Sequence, residues 1–70
     1  MEKIIFLKEI LKDKGIKQKY IAEKLGVSVS AVSLWVKGTT QPSITNLKKL
    51  ADVLSVDVSL IINGKKEWHD

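Results

Sequence analysis

Gln18 to Lys37 reads Q-K-Y-I-A-E-K-L-G-V-S-V-S-A-V-S-L-W-V-K, and this stretch decides the fold. Ile21 and Leu25 are four residues apart and share one face of a helix. Val32 and Trp35, three apart, share a face of a second. Ala22 is small enough for two helices to approach closely. Gly26 stands where the first helix must stop and takes positive φ at little cost. Ser28 has the hydroxyl that caps a following helix. The pattern predicts two short amphipathic helices, Gln18–Leu25 and Val29–Lys37, joined by a three-residue turn.

The rest of the chain continues in the same mode. Ile4, Leu7, Ile10 and Leu11 give a helical stripe over about Glu2 to Lys14, which Gly15 ends. Gly38 closes the third helix. Pro42-Ser43 opens a fourth, capped by Ser43, with Ile44, Leu47, Leu50, Ala51 and Leu54 on its buried face. A short fifth helix, capped by Asp57, runs to about Ile62, where Asn63-Gly64 breaks it. The expected fold is all-α, with five helices and no strand. The expected core combines Leu7, Leu11, Ile16, Ile21, Ala22, Leu25, Val32, Trp35, Leu47, Leu50, Ala51, Leu54 and Leu60. Residues 1–64 make one domain and 65–70 a tail; no repeat or low-complexity segment interrupts them.

Two consecutive helices with this turn form a helix-turn-helix, whose second helix fits the major groove of DNA. The block Q-x-x-I-A-E-K-L-G-V-S-x-S-x-V-S-x-W-x-K-G-T-T-Q-P-S-I-x-x-L-x-K-L-A-D-V-L, Gln18 to Leu54, resembles the DNA-binding domain of the Cro and phage-repressor (Xre-type) family. More weakly, the likeness extends from Ile4 to Ile62. It implies a five-helix, lambda-repressor-like domain, with the motif at 18–37, that binds double-stranded DNA.

The 70 residues allow one domain with a small core. With no Cys there is no disulfide and no thiolate metal site, which suits a reducing cytoplasm. The longest apolar run, Ile4 to Leu7, is far short of a membrane span. Lys8, Glu9 and Lys12 rule out a signal peptide at the N-terminus. A soluble, cytoplasmic protein is expected, with no cofactor, no metal and no small-molecule ligand. The net charge of +4 is unevenly placed. Residues 1–38 carry eight lysines against four acids, and residues 39–70 carry four of each. All the excess therefore lies in the half with the helix-turn-helix. A generic solvated lysine surface could give the same skew; joined to the motif, it points to a polyanion.

Phosphate contacts are expected first at the N-terminus of the second helix, where free backbone N–H groups and the dipole favour an anion. Gln18 lies in that first turn, and the resemblance makes it a backbone contact. Lys17 departs from the family's usual Thr or Ser cap: it has no capping oxygen and opposes the dipole. It is either paired with a phosphate or simply an exposed lysine. The resemblance brings Lys37, Thr39, Thr40 and Ser43, around the loop to the fourth helix, to the backbone across the groove. Ser28, Val29, Ser30 and Ser33 lie on or near the outer side of the third helix, with Leu34 at its flank. By resemblance they reach base edges, against plain solvent exposure for the serines. That helix has no Arg, Asn or Gln, the bidentate readers of guanine and adenine. Apolar contacts, water and DNA shape would then carry more of the specificity.

Trp35 could stack on a base, but its spacing from Val32 assigns it to the core. Val36 stands where many family members have Glu, so an ion pair that Glu makes between helices is lost. Trp68 folds back, packs at a dimer interface or hangs loose, and His69 is an exposed terminal group. No nucleophile–base pair, phosphate loop or metal-ligand spacing suggests an enzyme. A transcriptional repressor acting by operator occupancy is the expectation. An antitoxin-type or accessory regulator working through protein contacts is the alternative. A homodimer is expected at least on DNA, through Val58, Ile61, Ile62 and Trp68; the alternative is that these residues, Ile61 above all, pack on Leu54 and Leu50 within one chain. The absence of Arg, with heavy Lys and Ile use, fits an AT-rich genome.

Overall fold

A computed structural model describes residues 5–68. Its five α-helices are α1 (Leu7–Lys14), α2 (Gln18–Leu25), α3 (Val29–Lys37), α4 (Ile44–Leu54) and α5 (Val58–Asn63), followed by one 3-10 turn, Lys66–Trp68. No strand occurs among the described residues. The all-α, five-helix architecture expected from the sequence is observed. The bounds of α2 and α3 coincide with those the sequence predicts.

Local chemistry sets the helix ends. Ser28 Oγ accepts the Ala31 N–H at 3.0 Å and Ser43 Oγ the Asn46 N–H at 3.2 Å, so both serines cap their helices. Asp57 Oδ1 accepts the Ser59 N–H at 2.9 Å at the start of α5. Gly26 stops α2 in the left-handed region, φ 71°, and its N–H returns to the Ala22 carbonyl. That residue reverses the chain tightly enough for α3 to lie across α2. Ser55 ends α4 at φ 55° without being glycine.

α2 packs on both α3 and α4, α4 packs on α5, and α1 lies against α3. Leu7, Ile10, Ile21, Val32, Leu50, Leu54 and Ile61 are completely or almost completely buried between them. Ala22, Leu25, Trp35 and Ala51 complete the centre. Leu11, buried, and Val36, half-buried, line one shallow groove between α1 and α3.

Several expected positions differ. Ile16, Leu47 and Leu60 are only partly buried and pack around the core rather than within it. Ile44, expected on the buried face of α4, is 73% exposed. It is the first residue of the helix, and the inward stripe begins a turn later at Leu47. α1 starts at Leu7 rather than Glu2, with Phe6 at its N-cap and Ile5 outside any helix or strand before it. The Phe6 N–H is donated to the Ile61 carbonyl, 2.7 Å away on α5. Ile5 and Phe6 are both buried, although neither was expected in the core. Ile4 and His69 lie outside the described residues.

The C-terminal segment folds back. The Trp68 ring stacks on Phe6 with centroids 6.0 Å apart and 24° between planes. Lys65 Nζ lies 3.4 Å from Asp13 Oδ2 and 5.3 Å from the Trp68 ring centroid. That ion pair is about half exposed on both sides and contributes little by itself. The Phe6 ring also covers Gly64, where a Cβ would meet the ring at 2.7 Å. Of the readings open for Trp68, folding back is the one the structure adopts.

Candidate nucleic-acid interface

α3 is divided lengthwise. Val32 and Trp35 point into the core, 0% and 6% exposed, so Trp35 packs and does not stack on a ligand. On the other side Ser28, Val29, Ser30, Leu34 and Lys37 are exposed and Ser33 is half-exposed. Ser28 and Ser43 commit their hydroxyl oxygens to helix amides. What each still offers a ligand is the O–H donor and a second lone pair.

Lys17 occupies the N-cap of α2 in an extended conformation and caps it with no side-chain hydrogen bond. The first N–H groups of an uncapped helix face outward with the positive end of its dipole. Gln18, half-buried, follows in that turn. Lys8 and Lys12, which sequence reasoning did not single out, line a shallow groove with Lys17 and Gln18. The available signal was their i,i+4 spacing on the exposed side of α1. At the other end of α3, Lys37 lies in the last turn. The Thr39 N–H then bonds the Leu34 carbonyl at 3.0 Å, folding the loop over the helix end. Thr39, Thr40 and Ser43 are exposed along this loop, while Pro42 is buried and anchors it.

The molecule thus presents an uncovered helix face between a lysine-rich helix start and a hydroxyl-rich loop. The model of a family described as helix-turn-helix matches residues 7–65, which span all five helices. The chain belongs to that helix-turn-helix family. Among relatives within it, the HTH-type transcriptional regulator SinR of Bacillus licheniformis is 39% identical over 62 residues, 87% of this chain and 56% of SinR. A putative DNA-binding protein from Bacteroides fragilis superposes with a TM-score of 0.83 at 33% identity, covering 86% of this chain and 97% of that one. The P22 c2 repressor, solved in complex with a synthetic operator, gives a TM-score of 0.73 at 28% identity, over 83% of this chain and 88% of that one. The architecture is therefore lambda-repressor-like, as the sequence resemblance implied. Curated relatives in the helix-turn-helix family are named as transcriptional regulators, one of them an activator, and the chain spans 24 to 56% of their length.

The face expected to bind a second copy needs one correction. Ile61 is 0% exposed, buried within the chain beneath α4 and Phe6, and has no surface to give a partner. Trp68 is half-buried against Phe6. Val58, half-buried, and Ile62, 45% exposed, are four residues apart and share one side of α5. No described helix is long and apolar enough to cross a membrane.

Proposed function

We propose that this chain is a sequence-specific double-stranded DNA-binding transcriptional regulator that represses by occupying an operator. The observation that carries the reading is the uncovered outer face of α3, flanked by the cationic start of α2 and by Lys37 and its loop. The likeness to an operator-bound repressor supports it. In this reading Lys17, Gln18, Lys37, Thr39, Thr40 and Ser43 hold phosphates, and Ser28, Val29, Ser30, Ser33 and Leu34 meet the bases. A homodimer through Val58 and Ile62, with Trp68 at its edge, sets two α3 helices about 34 Å apart for successive major-groove turns.

Selection of duplexes from a random pool, followed by titration at two salt concentrations, tests the reading. Binding should fall steeply with salt. Lys37→Ala should reduce the salt slope by about one, and Gln18→Ala should weaken all sequences alike. Ser30→Ala should instead change the preferred base by roughly 1–3 kcal/mol at one or two positions. A chain that selects no duplex, or binds without salt dependence, works through protein contacts, as an antitoxin-type or accessory regulator does.

A further inference from the structure

The face α3 turns outward is unusual in its chemistry. Val29, in the first turn, is 47% exposed, and Leu34, more than a turn later, is 39% exposed. Their neighbours along the helix surface are Ser30, Ser33 and Lys37, at spacings of three and four. Among these residues none is Arg, Asn or Gln, and the one side chain able to bond guanine O6 and N7 together is Lys37, in the last turn. Serine hydroxyls donate to or accept from any base and discriminate poorly. Lys37 stands at the helix end, beside the loop to α4.

Ahead of Lys37, what remains on this face for discrimination is apolar. An aliphatic branch left in water gains free energy when it meets an apolar group. On the base edges of the major groove the apolar group is the C5-methyl of thymine. Val29 opens the helix that follows the turn from α2, and Leu34 stands three residues before Lys37, whose loop leads on to Ser43. Their surface is thus continuous with the rest of the candidate interface.

We propose that base selection by this chain runs on thymine C5-methyl groups, read by Val29 and Leu34, with Ser30 and Ser33 orienting the helix through adaptable hydrogen bonds. The proposal rests on the DNA-binding reading above and names the chemical feature that reading leaves open. Two consequences follow from the geometry of the methyl group. Removing it without touching any hydrogen-bonding group must weaken binding. Supplying it on cytosine, where it occupies the same place in the groove, must restore part of what is lost.

The test uses a duplex that the full chain selects from a random pool. Each thymine is replaced in turn by deoxyuridine, which deletes only the methyl. At one or two thymines per half-site the replacement should weaken binding about fourfold, the worth of one buried methyl-sized group. In Val29→Ala or Leu34→Ala, whichever side chain reads that position, the loss should shrink to less than about twofold. A 5-methylcytosine–guanine pair placed there should bind about fourfold tighter than a cytosine–guanine pair. Both side chains are exposed, and the two DNA arms need no protein variant. Suppose every deoxyuridine duplex binds within twofold of the parent while the chain still separates that parent from random DNA. The proposal is then overturned and the DNA-binding reading stands. A deoxyuridine loss that persists unchanged in both variants overturns the assignment to Val29 and Leu34. Failure to select any duplex sinks both.

Discussion

Lys17 sits at the N-cap of α2 with no oxygen to offer the helix amides and a positive charge against the positive end of the dipole. Lys17→Ser should add roughly 1 kcal/mol of stability and raise Tm by roughly 4–8 °C for a domain of this size. If Lys17 holds a phosphate, the same change should weaken duplex binding and lower the salt slope by about one. Thermal melts and titrations on one variant read both; a higher Tm with unchanged binding would make Lys17 a bystander. Gly64 is the opposite case, a position where the backbone leaves no choice. Its φ of 69° with ψ of −177° falls where only glycine is comfortable, and a Cβ would strike the Phe6 ring at 2.7 Å. Gly64→Ala should destabilise the fold by roughly 2–4 kcal/mol. Urea unfolding with an unchanged midpoint would show that the Phe6 packing contributes nothing.

α5 depends on its cap more than the longer helices do, since six residues provide few internal hydrogen bonds. Hydrogen bonds from the Ser59 backbone N–H and side chain hold the Asp57 carboxyl below its ordinary value. The folded state therefore binds that proton more weakly than the unfolded chain. Its contribution is present above the ordinary carboxylate value of about 4 and is lost as pH falls through and below it. Asp57→Asn, which keeps a capping acceptor, should change stability little at pH 7 and flatten its decline between about pH 5 and 3. Denaturant midpoints across that range check it; an unaltered decline would place the acid sensitivity in other carboxylates. The elements themselves were legible wherever their signals are local. The Gly26 stop, the Ser28 and Ser43 caps and the Ile21–Leu25 and Val32–Trp35 spacings delimit α2, α3 and the start of α4 from neighbouring residues alone. Periodicity likewise tells which α3 side chains point outward. The Phe6–Gly64–Trp68 packing was not legible, because its partners lie at opposite ends of the chain and share no repeat. Between Ile61 and Ile62, adjacent and equally apolar, only the observed orientation of α5 decides which one is buried. The Lys8–Lys12 pair was visible on α1, but its place beside Lys17 and Gln18 depends on how the turn at Gly15 folds.

At the scale of the whole molecule, self-association is the property that would turn one reading helix into two. Val58 and Ile62 give α5 a small apolar side, and Ile62→Asp should weaken any dimer roughly tenfold or more. Sedimentation of the parent chain over a range of concentrations, with and without a palindromic duplex, reads this directly. A chain that stays monomeric when concentrated and binds the duplex one to one would defeat the dimer. The meeting of the chain ends has another consequence, for the order of assembly. α2, α3 and α4 touch neighbours close in sequence and close small loops. Asp13 and Lys65 are 52 residues apart, and Phe6 reaches comparably far to Ile61. Closing so long a loop is entropically costly until the helices between are docked. The segments around Phe6 and Trp68 are therefore expected to join last and part first, in an opening that leaves the mutual packing of α2 and α3 in place.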